Sequence, residues 1–461
     1  MTSKLRPYDE PPRPSQPLVP SAPDSAATAF LVVSALWFVA AAGIGALAAG
    51  QTLLPDLLKA SFAVPIGSGI TIDVTRETVQ PAFLDALVYG WISNAAFAAI
   101  FFTTPRLTGR RLVSEPLAMV GAGAWNVAVA AGVALLYVKG ASGSASLAEF
   151  PLPVQALAVL GLLAINGAFW GTIASARSFA YVGVLYFGIG LLALLGCMTL
   201  AAVPNVISLG DTNNLLLWAF TGRGIASLWV LGAALGTLYY VIPRVTRNPL
   251  YSGGLAYLAL GGWVAFGGLS AVGALVDPSV PYAITSAGQA GTLLLLAPVF
   301  LAVANMLGTM GGRWTLLFSS GPIPLAVSAL AFVTGASLLE SVGALRHVQT
   351  LTAGTEWGMG VTVIGMLGGA TLAFMAFIDH AAPRLFRRGW SGGFLTDAEL
   401  WTIFAGAAIG GLAMIGGGII HGSLMAQAAS ADTIDGTLLL FRLAAAGGLG
   451  LVALGGLALL V

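Results

Sequence analysis

Twelve stretches of this chain are apolar and long enough to cross a bilayer, and that repetition constrains the fold more than any single motif. They run over residues 27–49, 82–103, 116–138, 153–175, 179–202, 214–242, 251–275, 283–309, 315–339, 353–378, 399–421 and 438–460. Each supplies the roughly 20 residues that a helix needs to span a hydrocarbon core. Helices satisfy their own backbone hydrogen bonds in lipid, so these windows predict an all-α integral membrane protein with twelve transmembrane helices. Composition agrees, because 57% of the 461 residues are apolar and only 8% charged, too few charges to solvate a soluble domain of this length. A net charge of +1 without a long basic run excludes nucleic-acid binding, and the apolar bulk excludes a soluble enzyme.

Residues 1–26 are rich in Pro, Ser and Asp and are predicted to be a disordered cytoplasmic tail, leaving 27–461 as the membrane domain. They do not read as a signal peptide, since no small-residue cleavage site follows a short apolar core. Cys197 stands alone in an apolar segment, which rules out a disulfide framework or a cysteine-based metal site and points to packing. With the N-terminus inside, thirteen Lys and Arg fall in inner segments, among them Arg106, Arg110, Arg111, Arg244, Arg247, Arg384 and Arg387. Only Lys59, Arg76, Lys139 and Arg346 fall outside. That bias predicts cytoplasmic N- and C-termini and a bacterial inner-membrane location.

One repeat is legible. "PRLTGRRLVSEPLA" begins at Pro105, "PRVTRNPLYSGGLA" at Pro243 and a shorter "PRLFRR" at Pro383, spacings of 138 and 140 residues. Each follows the inner end of a span: the second, sixth and tenth. The chain therefore divides into three pseudo-repeated four-helix units. The 61 glycines, as in "GAAIGGLAMIGGG" and "GGLGLVALGG", suit close helix packing in lipid. The latter is not a phosphate loop, because it lies within a span and lacks a strand–turn–helix setting.

The segments "LDALVYGWISNAAFAAIFFTTPRLTGRRLVSE" and "LWVLGAALGTLYYVIPRVTRNPLYS" resemble subunit I of the haem–copper oxidases. Within that superfamily the likeness is to the C-family, or cbb-type, cytochrome c oxidases and their nitric-oxide-reductase relatives, over roughly residues 80–390. The resemblance implies the twelve-span, three-unit fold. It also implies two haems and a copper held by six histidines, imidazole being a neutral, strong nitrogen ligand that fixes axial geometry. This chain has three histidines in total.

Counting along the family's pattern shows what replaces them. Back from Gly90-Trp91, the haem-ligand histidine falls at Phe83 and the arginine before it at Gln80. Back from Tyr239, a copper-ligand histidine falls at Arg223, between Gly222 and Gly224. From Leu250, the His-His pair falls at Gly273 and Ala274, and the cross-linked tyrosine near Gly267. Gly-His-x-His becomes Gly354-Thr355-Glu356-Trp357. The resemblance, with these substitutions, implies no catalytic residue, no bound metal and no cofactor. His347 reads as a hydrogen-bonding loop residue, and His380 as a positive group suited to helix-end carbonyls. His421 ends the eleventh span at the opposite face, so the histidines are too divided to share a metal.

Arg223 stands in "LLLWAFTGRGIASLW", about nine residues into its span and so ~13 Å deep at helical rise. An unpaired arginine at mid-span costs about 2.5–3.5 kcal/mol even on lenient scales. Asp85, Glu356 and Glu340 lie on the same side. Arg223 is predicted to pair with Glu356 or Asp85 in a buried polar cluster, with Phe83 and Trp357 filling haem-sized volume. These substitutions either plug the vacated space or leave a polar pocket for an anion, a quinone or a proton. Arg442 is expected to snorkel to the headgroups.

Three functions follow. The first is a haem-free, non-catalytic homologue of oxidase subunit I, a structural or assembly subunit of a respiratory complex. Its partners would be the lipid bilayer and a membrane-anchored cytochrome c subunit or another respiratory subunit. The second is a catalytic oxidase or nitric oxide reductase subunit in electron transport. The third is a transporter using the vacated pocket, against which no matched pair of broken half-helices marks a midplane site.

Overall fold

A computed structural model describes residues 19–54, 56–64, 70–139, 147–176, 181–207, 209–272, 280–387 and 394–458. Among them are twelve helices long and apolar enough to cross a membrane, and every window predicted from the sequence falls on one. Spans 1 to 5 are Ser25–Leu53, Arg76–Thr108, Glu115–Val138, Leu152–Ala174 and Val182–Val206. Spans 6 to 9 are Asp211–Thr246, Gly253–Val272, Tyr282–Thr309 and Pro322–Gly343. Spans 10 to 12 are Trp357–Phe386, Thr396–Ala426 and Ala431–Leu457. Odd- and even-numbered spans run in opposite senses, giving an arginine-rich end and an arginine-poor end to which Lys59, Arg76 and Arg346 belong.

Spans 2, 6 and 10 form the centre. Their apolar windows are 100%, 83% and 89% buried, against 33–56% for the other nine, whose remaining surface faces outward. These are the three helices that carry the Pro-Arg repeat, and their build is alike in detail. Each passes through a widened π-helical stretch, Ala86–Ile92, Ile225–Val230 or Val363–Ala370. Each then runs 16 residues of α-helix, Ser93–Thr108, Leu231–Thr246 or Thr371–Phe386. Each stops on a left-handed residue, Gly109, Arg247 or Arg387, four positions after the repeat proline, a common way for a helix to end. Glycine makes that conformation free of strain only at Gly109.

At each π-stretch the first residue of the following α-helix bonds its backbone N–H five residues back, and in two of the three helices its hydroxyl adds a second bond to the same carbonyl. Ser93 donates to the Val88 carbonyl at 2.8 Å and Thr371 to the Met366 carbonyl at 2.9 Å, each five residues back. The same two hydroxyls accept indole N–H groups from neighbouring units. Trp229 donates to Ser93 at 2.9 Å, and Trp91 donates to Thr371 at 3.0 Å. Both indoles stand two positions before the first residue of the following α-helix. At the third unit the corresponding pair, Gly369 and Leu231, carries neither group, so the ring of contacts is closed by packing alone.

The peripheral spans pack as the glycine-rich stretches predict. A Cβ on Gly448 in span 12 would lie 2.5 Å from the Gly410 nitrogen of span 11, so only glycine permits that approach. At the arginine-poor end a hairpin of β1 (Ala60–Val64) and β2 (Ile70–Val74) joins spans 1 and 2, antiparallel with Ala60 opposite Val74. The span pattern predicts no strand there.

The predicted tail needs one correction. Residues 1–18 lie outside the described residues, but Ser25 already begins the first helix. Asp24 pairs with Arg106 at 2.8 and 2.9 Å, while the Glu115 carboxylate accepts the backbone N–H of Asp24 and of Ala26. Charged partners from spans 2 and 3 therefore anchor residues that composition alone marks as loose.

Candidate functional site

Arg223 lies where span 6 begins to widen, two residues before the π-stretch. Its guanidinium does not reach Glu356 or Asp85. It pairs with Glu340 at the end of span 9, 3.0 Å away, with both side chains about a quarter exposed (25% and 28%). The reason is depth. A long arginine side chain can run along apolar surface towards the membrane edge, and a half-wetted pair there avoids the desolvation cost of a buried one.

Glu356 is already engaged. His421 Nδ1 lies 2.9 Å from Glu356 Oε2, and Arg442 Nη2 lies 3.9 Å from Oε1. Arg442 also holds Asp435 at 2.8 Å, seven residues nearer the start of the same helix, so it runs along that helix while staying within 3.9 Å of Glu356. These groups line a cavity of about 470 Å³ at the arginine-poor end, walled by spans 1, 2, 11 and 12 and the start of span 10.

The ligand-equivalent positions separate in space. Phe83 is buried, lines the cavity and packs so closely on span 1 that a Cβ at Gly45 would lie 2.7 Å from its ring. Thr355 lines the same cavity, its hydroxyl donating to the Thr352 carbonyl at 2.7 Å. Trp357 packs elsewhere, its indole against Gly343. Gly273 and Ala274 lie outside the described residues. The two rings thus do not fill one shared volume: Phe83 occupies one wall and a hollow remains.

Asp85 also stands apart from Arg223. It is fully buried, and neither carboxylate oxygen has a hydrogen-bond partner. Within electrostatic range of it is Glu149, an acid that no motif or repeat singles out. Tyr89, one turn beyond Asp85, donates its hydroxyl to the Leu147 carbonyl, and the Leu147 N–H donates to Glu149 Oε2 at 3.1 Å. Glu149 lies in the segment before span 4, only 8% exposed. Burial pushes its carboxyl up to about 7, against the opposing pull of backbone N–H groups from its own loop. Its one visible sign in the sequence is a single acid in "ASLAEFP", between two apolar stretches.

The histidines take three different settings. His421 is held by Glu356 in the cavity. His380 is buried at the arginine-rich end, edge-on to Tyr240, and Arg384, not His380, donates to a helix-end carbonyl. His347 lies exposed on a short helix, Arg346–Thr352, and its carbonyl accepts from Thr350. The helix replaces the expected loop. Cys197 is buried against Gly224, as packing requires. Three imidazoles set apart do not fit a centre that needs six. Guanidinium and phenyl groups at the counted positions offer no lone pair to a metal.

Fold and core define a multi-pass membrane protein of three like four-helix units around a central trio. The sequence profile described as "Cytochrome C and Quinol oxidase polypeptide I" matches residues 25–450, and the chain belongs to that family. It is similar to the cbb3-type cytochrome c oxidase subunit CcoN1 of Stutzerimonas stutzeri, 24% identical over 425 residues, covering 89% of this chain and 85% of that one. It is similar also to cytochrome c oxidase subunit 1 of Rhodobacter capsulatus, 22% identical over 456 residues, 94% of this chain and 84% of the relative. Among solved structures, a heme–copper terminal oxidase dimer matches with a TM-score of 0.77 at 14% identity, over 95% of this chain and 82% of that one, which shows the shared fold.

Proposed function

We propose that this chain is a haem-free, non-catalytic member of its family, a structural or assembly subunit of a respiratory complex in a bacterial inner membrane. The observation that carries the reading is arithmetic: three histidines against the six ligands of the family's metal centres. Phe83, Arg223, Thr355 and Trp357 stand at the counted ligand positions, and a guanidinium fixed on Glu340 is repelled by a metal cation. Both termini are assigned to the cytoplasm by the positive-inside bias. Family membership and the named relatives support a place beside other respiratory subunits, with a membrane-anchored cytochrome c subunit as the partner. Purification from the native membrane tests this. Copper and extractable, non-covalent haem per mole of this chain should be far below one, while a cytochrome c subunit co-purifies with its own covalently bound haem. One copper and two haems per chain would contradict it.

A further inference from the structure

The cavity at the arginine-poor end has no part in that reading. Its deep wall is apolar, with Phe83 from span 2, Met414 from span 11 and Leu449 from span 12. Its rim is polar, with the charged groups of Arg76, Arg442 and Glu356 and the imidazole of His421. Glu356 is committed to His421 at 2.9 Å and holds Arg442 only loosely at 3.9 Å. The closer partner of Arg442 is Asp435, 66% exposed, and such a surface pair is weak and easily exchanged. Arg442 Nε is buried with no hydrogen-bond partner. Arg76 has no ion-pair partner among the described residues.

Two guanidinium groups thus line an apolar hollow whose one lining carboxylate is itself engaged. In a low-dielectric setting that imbalance attracts an anion, and guanidinium forks match phosphate and carboxylate oxygens. At about 470 Å³ the hollow is far larger than a bare anion needs and lies within the ordinary range of small-molecule sites, ~300–1,000 Å³. We infer that it binds an anionic amphiphile, with a phosphate- or carboxylate-class head between Arg76 and Arg442 and an apolar body over Phe83, Met414 and Leu449. Anionic phospholipids and fatty acids of the surrounding bilayer supply that chemistry. The inference rests on the haem-free reading, because a haem would occupy this space.

Native mass spectrometry of the full-length protein in neutral detergent tests it, with short-chain phosphatidylglycerol as probe and phosphatidylcholine of equal chain length as comparison. One phosphatidylglycerol per chain is expected, bound at least tenfold more tightly than phosphatidylcholine. Arg76→Gln and Arg442→Gln should each weaken it about tenfold. Arg346→Gln, at the same end but bonded to Ser286 and lying over Tyr282, should not. Should Arg442→Gln fail to fold, Arg76→Gln at the exposed rim carries the comparison. Laurate displacing the lipid would identify a fatty acid as an alternative source; its failure to do so would identify the phosphate head as required. Either outcome supports the site. Equal binding of the two phospholipids, equal loss in Arg346→Gln, or displacement by inorganic phosphate alone at matched concentration would overturn it. A haem absorption band in the same sample would instead overturn the parent reading.

Discussion

At the scale of single residues, the partner of Arg223 decides what kind of site this is. The pair with Glu340 is half-wetted, so truncating one member removes an interaction of modest size and leaves the other group near water. A double-mutant cycle of Arg223→Ala and Glu340→Gln should show a coupling of about 1 kcal/mol in thermal unfolding. The same cycle with Glu356→Gln should be additive within about 0.5 kcal/mol, since Glu356 serves His421 and Arg442. Coupling to Glu356 and not to Glu340 would contradict the arrangement. Glu149 supplies a second test. Its carboxyl is held at about 7 in the fold against an ordinary 4.5, so between those values the folded state keeps a proton that the unfolded chain has released. Its contribution is therefore full below 4.5, falls as pH rises, and is gone above 7. Melting temperature measured across that window should decline more steeply in the parent than in Glu149→Gln; identical slopes would refute this. The sequence exposes Arg223 as an anomaly but does not choose among three acids on the same side. Depth and reach make that choice, and neither is written in residue spacing. Asp85 and Glu149 come within electrostatic range where a tyrosine hydroxyl pins the segment before span 4 against span 2, a contact between positions far apart in the chain.

At the scale of the helix, the central trio is joined by indole and hydroxyl groups where the coils widen. Trp229→Phe should cost about 1 kcal/mol, the net worth of one buried hydrogen bond, because Ser93 still donates to Val88. Ser93→Ala should cost more, roughly 1–3 kcal/mol, since it leaves the Trp229 N–H without a partner, whereas the Val88 carbonyl keeps the backbone N–H of residue 93. Unfolding measured in detergent ranks the two; a larger loss in Trp229→Phe, beyond the volume change, would contradict these roles. The Pro-Arg repeat is readable because proline and arginine punctuate a helix end, and the structure places all three copies at one step. The π-stretches are not readable. Widening has no residue signature in "ALVYGWI", "IASLWV" and "VIGMLGGA", which share no pattern beyond being apolar. The hairpin between spans 1 and 2 is hidden for a related reason, its five-residue strands sitting in a connection that the hydropathy pattern marks only as the gap between two spans.

For the whole molecule, the twelve spans and their grouping by four follow from patterns visible in the chain, since lipid leaves few other solutions, while the burial of spans 2, 6 and 10 comes from the structure. What the fold does with its centre does not follow. Around it stand the Arg223–Glu340 ion pair, the buried acids Asp85 and Glu149, and a cavity lined by Arg76 and Arg442, which on the proposed reading take the place of the family's metals. An optical spectrum of this chain purified free of any cytochrome c subunit, oxidised and then reduced with dithionite, tests the central claim most directly. No Soret band, and no α-band on reduction, is the predicted result. A Soret band at one or more haems per chain would contradict the account, because three separated histidines could not then be the limit on what this chain binds.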